Sequence, residues 1–170
     1  MEDINREGIN QYLIFNQSNE IFAINVLSIK EILKVPRITR VPRMPDFMTG
    51  VINLRGNVIP ILDLRLKFGL GGTQVTKNTS IIVLEIENIF SDGETQKFTI
   101  GIFNDLVQNV VTIEPDQIES PPRIGIAINT SYISGMAKIH DTYVIILNIG
   151  KILSEKELML VQTGEEITNE

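Results

Sequence analysis

The most informative stretch of the sequence is Gly50-Val-Ile-Asn-Leu-Arg-Gly-Asn-Val-Ile-Pro-Ile-Leu-Asp-Leu-Arg65. Two runs rich in isoleucine and valine flank Arg55 and Gly56, and a glycine supplies the positive φ that a tight turn between antiparallel strands needs. The stretch therefore predicts a β-hairpin that presents Arg55 at its turn. A guanidinium held there is well suited to bind a carboxylate or a backbone carbonyl of a partner. The alternative is an ion pair within the chain, with a neighbouring carboxylate such as Asp63.

This hairpin pattern occurs a second time further along the chain. Residues 47–64 align without a gap on residues 132–149, and apolar positions of the first segment meet apolar or aromatic positions of the second. A weaker match upstream sets the segment that starts at Ala23 against the one that starts at Gly101. The repeat predicts two similar subdomains that share an interface, because each half alone is small for independent stability. A groove between them would suit a binding partner.

Short β-rich runs separated by turn residues dominate the rest of the sequence. The predicted strands are Tyr12–Phe15, Ile21–Asn25, Gly50–Leu54, Asn57–Leu62, Ser80–Glu87, Phe98–Phe103 and Thr142–Leu147. Helical character is expected only in Val26–Leu33 and Ser154–Val161, the second of which begins with a capping box formed by Ser154 and Glu157. Many short strands with few helices indicate a small barrel or sandwich.

The composition excludes much enzyme chemistry. The 170 residues include no cysteine and a single histidine, His140. Disulfides, thiolate metal sites, a cysteine nucleophile and a zinc site built on a histidine pair are therefore excluded. Acidic residues such as Asp63, Asp105 and Asp141 are scattered, without the spacing of a calcium loop or of paired catalytic carboxylates. We expect no catalytic residue, no metal and no cofactor, so a binding module is favoured over the alternative of a small β-barrel enzyme that uses carboxylates only.

Charge is distributed unevenly along the chain. The net charge is −6, yet residues 30–67 hold eight basic and three acidic side chains, a local charge of +5 that leaves −11 for the remainder. This basic segment is either a solvated surface or a docking surface for an acidic partner, whose approach the charge would steer. The acidic remainder argues against nucleic acid as the partner. Neither a long apolar run nor an apolar leader segment is present, so we expect a cytoplasmic protein without membrane insertion.

The hairpin stretch is very similar to the signature of CheW-like domains. The resemblance continues in the segments Tyr12-Leu-Ile-Phe15, Phe22-Ala-Ile-Asn-Val-Leu-Ser-Ile-Lys-Glu-Ile32, Gly101-Ile-Phe-Asn-Asp-Leu-Val107, Tyr132-Ile-Ser-Gly-Met136 and Val144-Ile-Ile-Leu-Asn-Ile149. It covers roughly residues 10–155, which leaves 156–170 as a C-terminal helix and tail. It implies a mainly β fold of two SH3-like five-stranded β-barrels with short helices, the first roughly residues 11–70 and the second roughly residues 79–152.

The same resemblance implies a function. CheW-like proteins are non-enzymatic chemotaxis adaptors that join the cytoplasmic tips of methyl-accepting receptors to the regulatory domain of the histidine kinase CheA, supporting kinase activation and receptor array assembly. Other CheW-like domains in array rings are further candidate partners. One alternative is the adaptor part of a fusion with a receiver domain, as in CheV-like proteins, and the ending of the chain at Glu170 favours the separate adaptor.

Positions that match the family's motifs define a candidate binding site. The residues expected to bind receptor or kinase are Ile29, Glu31, Gly50, Arg55, Val107 and Val110. The first two are expected to present an apolar and an acidic group from the predicted first helix, and the last two to line the interdomain groove from the second barrel. For the three apolar residues, plain core packing is the alternative. The segment 88–96 looks longer than is usual in the family.

Overall fold

Ten β-strands make up about half of the chain that this computed structural model describes, which comprises residues 9–121 and 130–160. The strands are β1 Gln11–Gln17, β2 Glu20–Asn25, β3 Ile29–Lys34, β4 Met48–Leu54, β5 Asn57–Leu62, β6 Ser80–Ile89, β7 Thr95–Asn104, β8 Leu106–Thr112, β9 Ile133–Ile139 and β10 Thr142–Leu147. The helical segments are α1 Leu64–Lys67, α2 at residues 155–160, and 3-10 turns at Val26–Ser28, Pro115–Gln117, Thr130–Tyr132 and Ile149–Lys151. All seven predicted strands are confirmed, and β3, β8 and β9 are added to them. Among the described residues, no helix is long and apolar enough to cross a membrane.

The strands form two curled five-stranded sheets, which confirms the expected fold class. One sheet has the order β3-β6-β7-β5-β4, and we call it the central barrel. The other has the order β8-β1-β2-β10-β9, and we call it the terminal barrel because it combines the first two strands with the last three. Within each sheet most neighbours are antiparallel, but β5 pairs with β7, and β10 with β2, in parallel.

The barrels do not divide the chain into the contiguous halves 11–70 and 79–152 that the repeat suggested. The repeating units are β1–β5 and β6–β10, and each unit places its first two strands in the barrel that holds the last three strands of the other. The physical reason lies in the connections: the short turn Val26–Ser28 after β2 and the single residue Asp105 after β7 carry the chain from one barrel to the other. Each unit alone therefore contains two strands of one barrel and three of the other, and the edges of these strands are unpaired.

The repeat itself is confirmed residue by residue in the sheet registers. In the first hairpin Gly50 pairs with Ile61, and in the second Gly135 pairs with Ile146. Both hairpins carry an irregularity in register next to the glycine. The upstream match is also confirmed. Ile61 pairs with Gly101 in the central barrel, and the equivalent Ile146 pairs with the equivalent Ala23 in the terminal barrel. The two barrels are thus copies of one architecture.

Most strands are buried on both faces, because one face lines a barrel and the other packs against the second barrel. Along β6, Ile81 and Val83 belong to the core of the central barrel, whereas Ile82 and Leu84 belong to a larger cluster that the two barrels share. This inter-barrel cluster also takes in the stacked rings of Phe15 and Phe22, whose centroids are 5.9 Å apart. Alternation along a strand explains the division. The interface between barrels is the main hydrophobic core of the protein.

The helix predicted over Val26–Leu33 is wrong. Val26–Ser28 forms a single 3-10 turn, and the residues that follow form strand β3, in which half-buried and exposed positions alternate. Strand β3 pairs with β6, and this long-range pairing overrides the helix-forming residues Lys30 and Glu31. The C-terminal helix is confirmed with its capping box: the Glu157 N–H donates to Ser154 Oγ at 3.1 Å, and the Ser154 N–H donates to Glu157 Oε1 at 2.9 Å. The predicted end at Val161 lies outside the described residues.

Candidate functional site

The turn of the first hairpin holds Arg55 at the rim of the central barrel. Arg55 and Gly56 have φ values of 53° and 85°, the pair of positive angles that a two-residue turn between antiparallel strands requires. The side chain of Asn53 stabilises the turn by accepting a hydrogen bond from the Gly56 N–H at 2.9 Å. The Arg55 side chain is 70% exposed. The turn therefore fixes the backbone of Arg55, and its guanidinium group is accessible to solvent and to partners.

Arg55 forms a two-pronged ion pair with Glu31 of strand β3. Nη1 donates to Glu31 Oε2 at 2.6 Å and Nη2 donates to Oε1 at 3.0 Å, the parallel geometry in which arginine best matches a carboxylate. The hydrogen bond from Arg55 lowers the pKa of Glu31, and the hydrogen bond to Glu31 raises the pKa of Arg55. The pair joins β3 to the β4–β5 hairpin, so two residues that the sequence singled out separately form one unit.

Asp63, the alternative partner considered for Arg55, has a different role. It is buried and caps α1, accepting hydrogen bonds from the backbone N–H groups of Arg65 at 3.0 Å and Thr73 at 2.8 Å. The Thr73 hydroxyl donates to the same carboxylate at 2.8 Å. Because these backbone and hydroxyl donors satisfy it, Asp63 organises the connection after β5, and the glutamate on β3 is the carboxylate that Arg55 uses.

An open groove of about 570 Å³ lies beside the ion pair on the central barrel. Its charged lining includes Lys30 and Lys97, whose ammonium groups lie 3.5 Å and 3.6 Å from the carboxylate of Glu85. Lys30, Arg55 and Lys97 line the groove together with the carboxylate of Glu31, an arrangement suited to polar and charged side chains of a partner. Within residues 9–121 and 130–160, no group of three or more acidic or histidine side chains could hold a metal ion.

The remaining candidate residues lie away from this ion pair. Ile29 and Val107 occupy equivalent positions in the two repeating units, and both are half-buried against the inter-barrel cluster. Val110, by contrast, is 51% exposed on β8 of the terminal barrel. The structure thus brings Glu31 and Arg55 together and leaves Val107 and Val110 on the other barrel.

Gly50 is buried and has a packing role that its binding assignment did not foresee. A Cβ atom on Gly50 would lie 2.3 Å from the carbonyl oxygen of Thr39, because the loop after β3 crosses it closely and pairs with Val51 through hydrogen bonds of 2.9 Å and 2.8 Å. The same arrangement recurs at Gly135, where a Cβ would lie 2.8 Å from the carbonyl oxygen of Glu119. Only glycine allows this approach of two backbones.

The structure divides the basic segment into two sets. Lys30, Arg55 and Lys67 form ion pairs within the protein, and Arg65 donates to the carbonyl oxygen of Leu70 at 3.2 Å. The other four cations are exposed and form no ion pair with any residue in the described part of the chain: Lys34, Arg37, Arg40 and Arg43. The cations available to a partner are therefore concentrated in the loop between β3 and β4.

A nearly buried lysine cluster was missed by sequence reasoning. The Lys67 side chain is 8% exposed and forms an ion pair with Glu157 of α2, while its ammonium lies 4.3 Å from the ring centroid of Phe47 and 5.7 Å from that of Tyr132. Partial burial would raise the pKa of Glu157, but hydrogen bonds from Lys67 and Ser154 outweigh it and lower this pKa. The available signal was that Phe47 and Tyr132 are the first residues of the two aligned segments.

The extended β6–β7 hairpin contacts the same C-terminal helix. The Ser91 hydroxyl donates to Glu155 Oε1 at 3.0 Å, and Asn88 Nδ2 donates to the carbonyl oxygen of Gly150 at 3.2 Å. Phe90 and Phe98 pack together at the tip, with ring centroids 5.8 Å apart. The long segment 88–96 noted in the sequence is thus an ordered strand extension of the central barrel that holds the end of the terminal barrel.

Comparisons with known proteins agree with this architecture. The family model described as the CheW-like domain matches residues 11–157. A protein named Chemotaxis protein CheW from Klebsiella aerogenes is 35% identical over 151 residues, which cover 89% of this chain and 86% of that protein. One of the same name from Helicobacter pylori is 33% identical, over 88% of this chain and 84% of its own. The crystal structure of the scaffolding protein TtCheW from Thermoanaerobacter tengcongensis superposes with a TM-score of 0.74 and 30% identity, covering 87% of this chain and 90% of that one.

Proposed function

Because the chain belongs to the family of CheW-like domains, a family of chemotaxis scaffold and adaptor proteins, we propose that it is a non-enzymatic adaptor that couples methyl-accepting chemoreceptors to the histidine kinase CheA. In this role it supports kinase activation and the assembly of receptor arrays at the inner face of the membrane, which it reaches through protein contacts. Its partners are the cytoplasmic tips of the receptors, the regulatory domain of the kinase, and other CheW-like domains within array rings.

The observation that carries this proposal is the exposed ion pair between Glu31 and Arg55. Guanidinium has five N–H donors, and Glu31 takes hydrogen bonds through only two of its nitrogens. The remaining donors form no hydrogen bond with the described residues, and they can bind a carboxylate or carbonyl of a partner. Because Glu31 and the turn already order the side chain, binding loses less conformational entropy than it would with a free arginine. Arg55 therefore has the properties of a binding hot spot.

A second surface on the terminal barrel supports an adaptor rather than a single binding module. Leu106 and Val110 expose apolar side chains on the edge strand β8. We assign Val110 to direct contact with a partner, and Val107 and Ile29 to the support of their strands from the inter-barrel cluster. Gly50 contributes indirectly, because its lack of a side chain lets the loop that contains Thr39 pack against β4. One partner on each barrel would make a bridge between receptor and kinase.

A reconstituted signalling complex tests the proposal. The full chain is mixed with receptor signalling fragments and kinase, and both complex formation and autophosphorylation of the kinase are measured. We expect stoichiometric binding to each partner alone and kinase activation only when all three components are present. Binding to neither receptor nor kinase would contradict the proposal. A protein of another fold at equal concentration serves as the control for crowding and charge.

A CheV-like role is the second candidate, and one match favours it. The Chemotaxis protein CheV3 from Helicobacter pylori is 26% identical over 81% of this chain, which corresponds to 42% of that protein. In such a fusion the adaptor would share a polypeptide with a receiver domain. An immunoblot of the native host tests this candidate, because a band near 19.1 kDa indicates the separate adaptor and a band of about twice that mass indicates the fusion.

A further inference from the structure

Four cations without an ion pair among the described residues lie at the end of β3 and in the loop that leads to β4, a segment that we call the arginine loop (residues 34–46). Lys34, Arg37, Arg40 and Arg43 are opposed in this loop by a single carboxylate, that of Asp46, so its net charge is +3. The four cations are exposed and form no ion pair with the described residues. Within the described chain they stabilise nothing by charge pairing, so folding does not account for their presence.

The equivalent loop of the terminal barrel shows that the architecture does not need these cations. It follows β8 as the arginine loop follows β3, and its backbone crosses Gly135 as Thr39 crosses Gly50. Its charged residues are nevertheless mainly acidic, namely Glu114, Asp116 and Glu119 against the single cation Arg123, a net charge of −2. Loops that cross their glycines alike thus carry opposite net charge in the two barrels. The positive charge of the arginine loop is a property of its surface rather than of its fold.

The backbone of the arginine loop holds its cations in a defined arrangement. Two hydrogen bonds between Thr39 and Val51, of 2.9 Å and 2.8 Å, attach the loop to strand β4. Arg43 follows Pro42 in a turn and has a φ of 62°, a conformation that glycine or asparagine would adopt at lower cost. An arginine in such a position is a strained choice, and residues of this kind concentrate at functional sites.

A partly apolar groove of about 610 Å³ adjoins the cations. Val41, Met44, Met48 and Leu66 provide its apolar lining, and its polar lining includes Arg40, Asp46 and Thr49. Methionine side chains adapt to different apolar partners because they are unbranched and polarisable. The surface therefore combines several exposed cations with a groove whose methionine side chains can adapt to a partner.

We propose that the arginine loop and its groove bind an acidic, amphipathic segment of a partner protein in the signalling complex. Carboxylates of that segment pair with Arg37, Arg40 and Arg43, and its apolar side chains enter the groove between Met44 and Leu66. The extended chain between Arg37 and Arg40 spans at most about 10 Å, which matches carboxylates about one and a half to two helical turns apart. This inference rests on the proposed adaptor function and assigns one of its docking surfaces.

The charge of the whole chain favours a protein segment over an anionic membrane or a nucleic acid. Outside residues 30–67 the chain carries −11, so a polyanion long enough to extend beyond the loop would meet a protein of net negative charge. A narrow acidic segment contacts the cations without meeting that remainder. A phosphate backbone also has no apolar groups that could fill the groove.

The test compares two triple variants of the full chain that change net charge equally. The first replaces Arg37→Gln, Arg40→Gln and Arg43→Gly, the glycine being suited to the positive φ at that position. The matched control replaces three exposed lysines elsewhere, Lys77, Lys151 and Lys156, by glutamine. Binding is measured by fluorescence with a labelled synthetic peptide of alternating glutamate and leucine pairs, and by surface plasmon resonance with the receptor and kinase fragments, at about 0.05 M and about 0.3 M salt.

We expect the arginine variant to bind the peptide and one of the two protein partners about tenfold more weakly at low salt, with a smaller dependence on salt, whereas the lysine control changes binding less than about twofold. Unaltered thermal unfolding of both variants verifies the fold. Equal binding by the two variants would overturn the proposal. A loss confined to phosphatidylglycerol vesicles, to duplex DNA, or to self-association in sedimentation would overturn the assigned occupant.

The two levels of inference fail in distinguishable ways. If neither receptor nor kinase fragment binds the unmodified chain, the adaptor function is wrong, and the peptide measurement still decides the arginine loop. If both fragments bind and the arginine variant matches the lysine control with every probe, only the docking surface is wrong.

Discussion

The turns of the two repeated hairpins share a backbone and differ in their side chains. In the first, Arg55 and Gly56 have φ values of 53° and 85°, and in the second, His140 and Asp141 have 48° and 64°. Both turns follow the same register and the same close approach at a glycine. Yet Arg55 donates two hydrogen bonds to Glu31, whereas Asp141 forms only a long, exposed ion pair, with 3.9 Å between its Oδ1 and Lys138 Nζ.

This difference separates what folding requires from what it permits. Both turns close with positive φ at two positions, and the second does so without glycine, which shows that strand pairing dictates the geometry. The residue at the first turn position is therefore open to selection for another purpose. In the central barrel that residue is an arginine paired with Glu31, and this asymmetry between the turns supports the proposal that the rim of the central barrel is a binding site.

Separating the two repeating units should have the largest effect on folding. Each unit contributes an incomplete set of strands to both barrels, so we expect a fragment of residues 1–78 to remain unfolded in circular dichroism and NMR spectra. Mixing it with a fragment of residues 79–170 should restore the native spectrum. As a control, cleavage of the intact protein at an engineered protease site between Gly71 and Gly72 should leave both pieces associated. A folded single fragment would show that the units are independent.

Adding one methyl group at the two equivalent glycines should destabilise the barrels unequally. Gly50→Ala places a Cβ 2.3 Å from a backbone oxygen, and we expect it to lower the free energy of unfolding by about 3 kcal/mol. Gly135→Ala should cost less, about 1–2 kcal/mol, since its nearest backbone atom, the Glu119 carbonyl oxygen, lies 2.8 Å away and its closest contact, at 2.5 Å, is a side-chain methyl of Ile118. Urea unfolding measures both values. Equal or reversed losses would contradict the tighter backbone crossing at Gly50.

Removing the partner of the nearly buried lysine should weaken the contact between the barrels and α2. Glu157→Ala leaves the Lys67 ammonium without its carboxylate, and we expect a loss of about 2 kcal/mol in the free energy of unfolding. Glu157→Gln is the matched variant, which retains the shape and a hydrogen-bond acceptor and should lose less.

The same ion pair predicts a pH dependence with a definite sign. Because the pKa of Glu157 is lowered in the folded protein, its contribution to stability is present above the ordinary glutamate pKa and is lost as the pH falls through the lowered value. Unfolding midpoints measured from neutral to acid pH should therefore converge for the unmodified protein and Glu157→Gln. A difference that grows toward acid pH would contradict the assignment.

Arg55 should matter least for stability and much more for binding. An exposed ion pair contributes little to stability, so Arg55→Ala should barely change the melting temperature. Arg55→Glu places a second carboxylate against Glu31 and should lower it slightly more. Both should weaken receptor binding and kinase activation strongly, by about tenfold or more, whereas His140→Ala at the equivalent turn should affect neither. Full kinase activation with Arg55→Glu would show that the turn residue has another role.

The hairpins were predictable from sequence because their information is local. Gly56 marks a turn, alternating isoleucine and valine mark the strands, and residues 47–64 repeat as 132–149 with every register intact. The exchange of strand pairs between barrels was not predictable in this way. An alignment of the two repeating units is identical whether the strands pair within a unit or across units, and only the brevity of the connections hints at the answer.

The partners within the site depended on tertiary structure. Glu31 lies 24 positions before Arg55 in a segment whose lysine and glutamate suggest a helix, and its pairing becomes visible only once β3 is aligned with β6. The Lys67–Glu157 pair spans 90 positions and no local pattern announces it. Residue types at the turn could thus be read from the sequence, whereas the contacts that orient them could not.

The crossing of the chain between barrels determines how the protein bears mechanical load. A force that pulls the two barrels apart acts on two covalent tethers in parallel, the turn at Val26–Ser28 and the single residue Asp105. Both connections are short, so the barrels lack the flexible linker that allows domains of a tandem protein to reorient. To separate them, the force must slide a hairpin lengthwise out of its sheet and break many backbone hydrogen bonds together. The two short connections and the shared core therefore couple a displacement of one barrel to the other.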